Sequence, residues 1–145
     1  MFGQKIQRSY PILGQITYRS QYWFGTLAVP EFDAEVEIIV RANKDGISDA
    51  QLSAVQACFN QLALIKTQAT AAMLTLFAEC EMPVPENPDI WMDLLADSIE
   101  VTDENYDAST GKISVLLLFG SQSITEFCPA IEVIDGAFVQ VLGAT

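Results

Sequence analysis

The chain has 145 residues, half of them hydrophobic and 18% of them charged. Nineteen acidic residues against seven basic ones give a net charge of −12. This charge repels phosphate backbones and anionic lipid surfaces, so neither a nucleic acid nor a membrane is expected as a partner. The length and the hydrophobic content predict one globular domain spanning residues 1–145.

The first predicted elements are three strands. GQITYRS (14–20) and YWFGTLAV (22–29) are rich in β-branched and aromatic residues and are separated by a tight connection, which is typical of a hairpin. FDAEVEIIVRA (32–42) then alternates, so that its apolar residues point to one side while Glu35 and Glu37 point to the other. A strand with one packed face and one solvent-exposed face favours an antiparallel sheet.

A long helix is predicted next. Ser48 and Gln51 form a capping-box pattern, which places the helix start there. The apolar stripe that follows is interrupted only by Lys66 and extends the helix to about 30 residues, with room for a bend. The stripe predicts packing across a sheet, although the neutral Gln and Thr face of the helix leaves self-association open. The prolines of MPVPENP (82–88) end it.

A second, short helix is predicted from Pro88 to about Ser98, with Asn87 as its cap. Strands are predicted at Ile99–Val101 and Lys112–Phe119, and a final hairpin turns at Asp135-Gly136. The element order therefore predicts an α+β domain, in which an antiparallel sheet of about six to seven strands carries one long and one short helix packed on one face.

The chain lacks the residues that most catalytic mechanisms require. The absence of histidine removes Ser-His and Cys-His nucleophile pairs and His-ligated zinc, and the sequence contains no glycine-rich phosphate loop. We therefore predict a protein that is not an enzyme, with no catalytic residue, no cofactor and no metal ligand assigned.

One acidic loop supports an alternative function, the binding of a cation or a small ligand. Asp103, Asn105 and Asp107 have the 1, 3, 5 spacing of an EF-hand calcium loop. However, Ala108 stands where that loop needs glycine, and Ser114 stands where it needs a bidentate glutamate. A cation-binding or small-ligand-binding domain that uses the Asp103–Asp107 loop in another geometry is the alternative function.

The cysteines and the first residues bear on the compartment. Cys58, Cys80 and Cys128 are odd in number and form no C-x-x-C pair, which favours buried thiols in a reducing compartment over a disulfide scaffold. MFGQKIQRSYP (1–11) lacks the apolar core of a signal peptide. A cytoplasmic protein is expected.

An acidic segment without any base is the most distinctive feature. Ten acidic residues occur from Glu79 to Asp107 inclusive, and no Lys or Arg occurs between Lys66 and Lys112. Like charges four residues apart destabilise an exposed helix by about 0.2–0.5 kcal/mol per pair, so local stability does not explain the segment. It is either a solvated face that serves solubility or a docking surface for a basic protein. The docking interpretation assigns partner contacts to Asp89, Asp93, Asp97, Glu100, Asp103, Glu104 and Asp107, with Glu35 and Glu37 as a second patch.

A family resemblance rests on three patterns. The run YWFGTLAVPEFDAEVEIIV (22–40), the Ile-Ser-x-x-Gln helix start at Ile47 and the late Asp-Gly hairpin resemble a family of uncharacterised bacterial α+β domains of unknown function. The chain is also similar in physical type to small acidic immunity proteins, which block a cognate toxin by occupying its basic active face. These resemblances imply a non-enzymatic domain with a basic protein partner, and they transfer no functional residue.

Overall fold

The computed structural model of the protein describes residues 6–79, 90–106, 109–122 and 126–143. Eight strands form one sheet in which they lie in chain order. Two helices are described between the fourth strand and the fifth: α1 (Asp49–Asn60) and α2 (Leu62–Glu79). The strands are β1 (Gln7–Tyr10), β2 (Gly14–Arg19), β3 (Tyr22–Val29), β4 (Ala34–Arg41), β5 (Leu94–Val101), β6 (Ser114–Ser121), β7 (Ala130–Ile134) and β8 (Ala137–Leu142).

The predicted α+β class is confirmed, and the sheet differs from the prediction in two ways. It has eight strands instead of six to seven, and the edge strand β1 is the one that the sequence analysis did not predict. It is also mixed, since β4 and β5 pair in parallel while every other neighbouring pair is antiparallel. A parallel pair needs a crossover of a dozen or more residues, which the two helices supply. Two four-stranded meanders are thus joined through the helices.

The predicted helix start is confirmed. Ser48 Oγ accepts a hydrogen bond from the Gln51 backbone N–H (3.1 Å), and Gln51 Oε1 accepts one from the Ser48 N–H (3.1 Å). Gln51 Nε2 also donates to the carbonyl oxygens of Arg41 (2.7 Å) and Thr102 (3.1 Å). Since Arg41 ends β4 and Thr102 follows β5, this one buried side chain ties the helix start to the parallel strand pair.

The long helix is broken at Gln61. The φ angle of Gln61 is −121°, and its N–H bonds to the Cys58 carbonyl at 3.1 Å, so the helix is divided into α1 and α2. Lys66, which interrupts the apolar stripe, is half-buried; its Nζ donates to the Glu31 carbonyl (2.8 Å) and lies 5.3 Å from the centre of the Phe32 ring. The interruption is therefore a cation held over an aromatic ring and not a gap in the core.

The short helix predicted from Pro88 to Ser98 is wrong over its described part. Ile90–Met92 is a single 3-10 turn, and Leu94 begins β5. The apolar residues at 90, 91, 94 and 95 fit a helical period, but pairing with β4 and β6 decides the conformation. The residues proposed as cap and first position, Asn87 and Pro88, lie outside the described residues.

The core lies between the helices and one face of the sheet. Alternate residues of β4 point into it, as predicted from the sequence, and they meet buried residues of α1 and α2. The final hairpin is also confirmed: Asp135 and Gly136 have φ angles of 54° and 76°. A Cβ atom at Gly136 would lie 2.9 Å from the Ala57 carbonyl oxygen, so glycine is needed both for the turn and for its approach to α1. The fully buried residues include Trp23, Ile38, Val40, Ile65, Met73, Phe77, Ile99 and Ile131.

Candidate protein-interaction surface

The face of the sheet opposite the helices, called the open face here, carries the residues that alternate with the core. Paired residues form one continuous row across it, from β1 to β8: Gln7, Thr17, Phe24, Ile39, Glu100, Leu116, Glu132 and Gln140. No described helix covers this face.

The open face unites the two acidic patches that were separate in the sequence. Glu37 pairs with Ser98 and Ile39 with Glu100, in the parallel register of β4 and β5. Paired residues share a face, so Glu35 and Glu37 of β4 lie on the same face as Glu100 of β5. Glu35 and Glu37 are both exposed. The parallel pairing therefore makes one surface of segments that are about sixty residues apart in the chain.

Glu100 is the compensated acid of this surface. Its Oε1 lies 2.6 Å from Nε of Arg41, with 24% of the glutamate side chain and 59% of the arginine side chain exposed. Exposed pairs of this kind contribute about 0–1 kcal/mol. Within the described part of the chain, Glu35 and Glu37 have no basic group within salt-bridge distance. The uncompensated charge of the open face thus lies on β4.

Asp97 adds an exposed carboxylate at a bulge in β5. The register between β5 and β6 shifts between Ala96 and Ser98, which leaves Asp97 as the extra residue. A bulge of this kind breaks the alternation of a strand. It also keeps Asp97 next to Ser98, the partner of Glu37.

Asp93, one of the predicted partner contacts, makes hydrogen bonds within the fold. Its Oδ2 accepts a hydrogen bond from Ser121 Oγ (2.7 Å), and its carbonyl accepts one from the Gln122 N–H (2.9 Å). These hydrogen bonds link the start of β5 to the end of β6. The Asp93 side chain is half-buried. Asp93 and Asp97, four residues apart, do not lie on one helix face, because Asp93 immediately precedes β5 and Asp97 lies within it. Asp89 is outside the described residues.

Glu132 is a buried acid that sequence reasoning did not single out. It is 7% exposed, and its two carboxylate oxygens accept hydrogen bonds from Ser114 Oγ (2.8 Å) and Gln140 Nε2 (2.8 Å). A buried carboxylate is costly unless hydrogen bonds compensate it. The signal in the sequence was a single acid inside the apolar run AIEVI, although its partners on β6 and β8 could not be read from it.

A cleft of about 620 Å³ opens at the carboxyl ends of β4 and β5. It is lined by Tyr22, Arg41, Gln51, Asp103 and Glu104, among others. The structure thus places two of the predicted acids at this cleft and away from the strand positions of Glu35 and Glu37.

The acidic loop beside the cleft forms a turn of its own. Asp103 Oδ1 accepts a hydrogen bond from the Asn105 N–H (2.9 Å), which stabilises the turn locally. Asp107, the third predicted ligand, lies outside the described residues. Among the residues that are described, no three His, Cys, Asp or Glu side chains come together as a metal site.

The two described cysteines have opposite environments. Cys58 is buried in the core, and loss of hydration raises the pKa of its thiol from 9.0 to about 12. Cys128 is exposed, contrary to the expectation of a buried thiol. Cys80 lies outside the described residues. Cys58 is therefore a small core residue with little thiolate at neutral pH.

Comparisons with protein-family models, curated proteins and solved structures found no match. None of the helices in the described ranges is long and apolar enough to cross a membrane.

Proposed function

We propose that the chain is a non-enzymatic, acidic interaction domain that binds a basic protein through the open face of its sheet. The observation that carries this proposal is the exposed pair Glu35 and Glu37, which lies at the centre of the sheet without a basic group within salt-bridge distance in the described chain. Asp97 and Glu100 extend the surface onto β5. Acidic surfaces of this kind accelerate association with cationic partners and select among them.

The proposed class of partner follows from the net charge of the chain and from its lack of histidine. A net charge of −12 and the absence of histidine fit a protein that acts by occupying a surface, and not by catalysis. We propose an immunity protein that neutralises a basic cognate toxin in the cytoplasm. The resemblance to acidic immunity proteins supports this class, and three cysteines without a C-x-x-C pair support a reducing compartment.

The immunity proposal predicts that the reading frame immediately upstream encodes the toxin. Calorimetric titration against the product of that adjacent reading frame tests the proposal. We expect Glu35→Lys/Glu37→Lys to weaken binding roughly tenfold or more, because a like charge then meets the basic partner. The matched control is Asp45→Lys/Glu126→Lys, which makes the same change of charge at exposed residues elsewhere and should leave most of the affinity. A neighbouring product that does not bind would contradict the immunity assignment. Equal losses in both variants would contradict a docking role for the open face.

The second candidate is a cation or small-ligand site at the cleft. Asp103 and Glu104 line the cleft at the ends of β4 and β5, which is the observation in its favour. A ligand that binds only the folded state raises the melting temperature at saturation. A thermal melt with and without calcium measures this directly, and no shift at saturating calcium would remove calcium as the ligand.

A further inference from the structure

The two edges of the open sheet are built differently. β1 has four residues including Arg8, whose Nη1 donates to the Asp45 carbonyl (2.8 Å), and Pro11 follows it. β8 has six residues, AFVQVL, with no charge and no proline. Charged residues and proline are the usual means of preventing contact between strand edges. The one such feature of β8 is the register shift in its pairing with β7. No strand of the described residues pairs with its outer edge.

The surface beside β8 is also without charge for most of its length. A groove of about 430 Å³ lies between β8 and α2, where Ala72, Thr75 and Leu76 face Phe138, Val139 and Val141. Residues 67–78 of α2 and residues 136–145 carry no charge, although the chain contains nineteen acids. Glu79, at the end of α2, is the one charged residue of the groove lining. Acidic residues are therefore nearly absent from the surface formed by β8 and the groove beside it.

We propose that a second copy of the chain occupies this edge, with β8 pairing antiparallel to β8 of that copy. An antiparallel pair of identical strands is related by a two-fold axis, which is the commonest symmetry of protein dimers. Two copies of charge −12 repel each other over most of their surfaces, and an uncharged edge is where they can meet. A cationic partner would be matched by acids, and the groove offers only Glu79.

The α2 side of the groove belongs to the same interface. A stable interface buries about 800 Å² per partner, more than a six-residue edge supplies by itself. Two-fold pairing of β8 brings both grooves to the junction, so Thr75 and Val139 of each copy lie at it. This assigns a use to Thr75, the one residue of the neutral Gln and Thr face that lines the groove.

The molar mass of the whole chain in solution tests this inference. Sedimentation equilibrium from about 1 to about 100 μM should give twice the monomer mass of 15.9 kDa. Val139→Lys changes a residue that is 46% exposed and should raise the dimer dissociation constant roughly tenfold or more. Thr75→Lys, at an exposed position of α2, should act in the same direction. The matched control, Ser9→Lys on the opposite edge, adds the same charge and should remain dimeric.

Hydrogen exchange gives a second measurement that needs no substitution. Amide protons of β8 should become more protected as the protein concentration rises, while those of β1 should not change. A wild-type chain that is monomeric at about 100 μM would overturn the proposal, and so would a dimer that tolerates both Val139→Lys and Thr75→Lys. A monomer that instead gains β8 protection from a strand of another protein would likewise exclude the second copy as the occupant.

Discussion

The two faces of β4 differ sharply in burial and in charge. Val36, Ile38 and Val40 are at most 2% exposed and pack beneath the helices, while Glu35 and Glu37, one residue away, are exposed on the open face. The same strand therefore carries core contacts on one side and uncompensated charge on the other. Substitutions at neighbouring positions should consequently separate stability from binding.

The largest effect is expected on the covered face. Ile38→Ala removes a side chain that is fully buried and should lower the free energy of unfolding by about 2–5 kcal/mol, because it leaves a cavity in the core. Urea denaturation measures this. A loss below about 1 kcal/mol would mean that this face does not carry the core.

A smaller loss is expected where the covered face meets the helix start. Gln51→Ala leaves the Arg41 and Thr102 carbonyls without the side-chain donor and removes half of the capping box. We expect a loss of about 1–3 kcal/mol. Gln56→Ala on the exposed side of α1 is the control and should change stability by less than about 0.5 kcal/mol. Equal effects in the two variants would show that Gln51 does not tie the strand pair to the helix.

The buried thiol offers a pH test of the covered face. The pKa of Cys58 is about 12 in the folded chain against 9.0 without burial. Because the folded state holds the proton more tightly, its contribution is complete below pH 9.0 and is lost as the pH rises toward 12. Over this range the wild type should lose stability relative to Cys58→Ala. Parallel loss in both proteins would place Cys58 in contact with water.

Thiol labelling at neutral pH should show the same contrast between the two described cysteines. Cys128 is exposed and Cys58 is buried, so alkylation should reach Cys128 first. Peptide mass spectrometry measures the two rates. Equal rates in the folded protein would contradict the burial of Cys58.

Local signals in the sequence were sufficient for several elements. The alternation of β4, the Ser48–Gln51 capping box and the Asp135-Gly136 hairpin each depend on residues close in the chain, and each was predicted correctly. The segment after Ile90 was not, because the bulge at Asp97 hides the strand alternation. Its apolar spacing consequently resembled that of a helix.

The candidate surface depended on contacts that a sequence does not display. The pairing of Glu37 with Ser98 joins residues on either side of the helical crossover, and nothing local to either one indicates it. The partners of Glu132 on β6 and β8 lie 18 and eight residues away in the sequence, and both are set by strand pairing. Residue types therefore predicted an acidic surface, while the pairing of β4 with β5 determined which acids share it.

The salt dependence of partner binding tests the central claim most directly. For the wild-type chain, affinity for the product of the adjacent reading frame should fall as salt rises, because exposed charges are screened over about 8–10 Å at physiological ionic strength. Glu35→Lys/Glu37→Lys should bind more weakly and should lose much of that salt dependence, while its unfolding curve stays close to wild type. An affinity and a salt slope equal to those of the wild type would contradict the assignment of the open face as the docking surface.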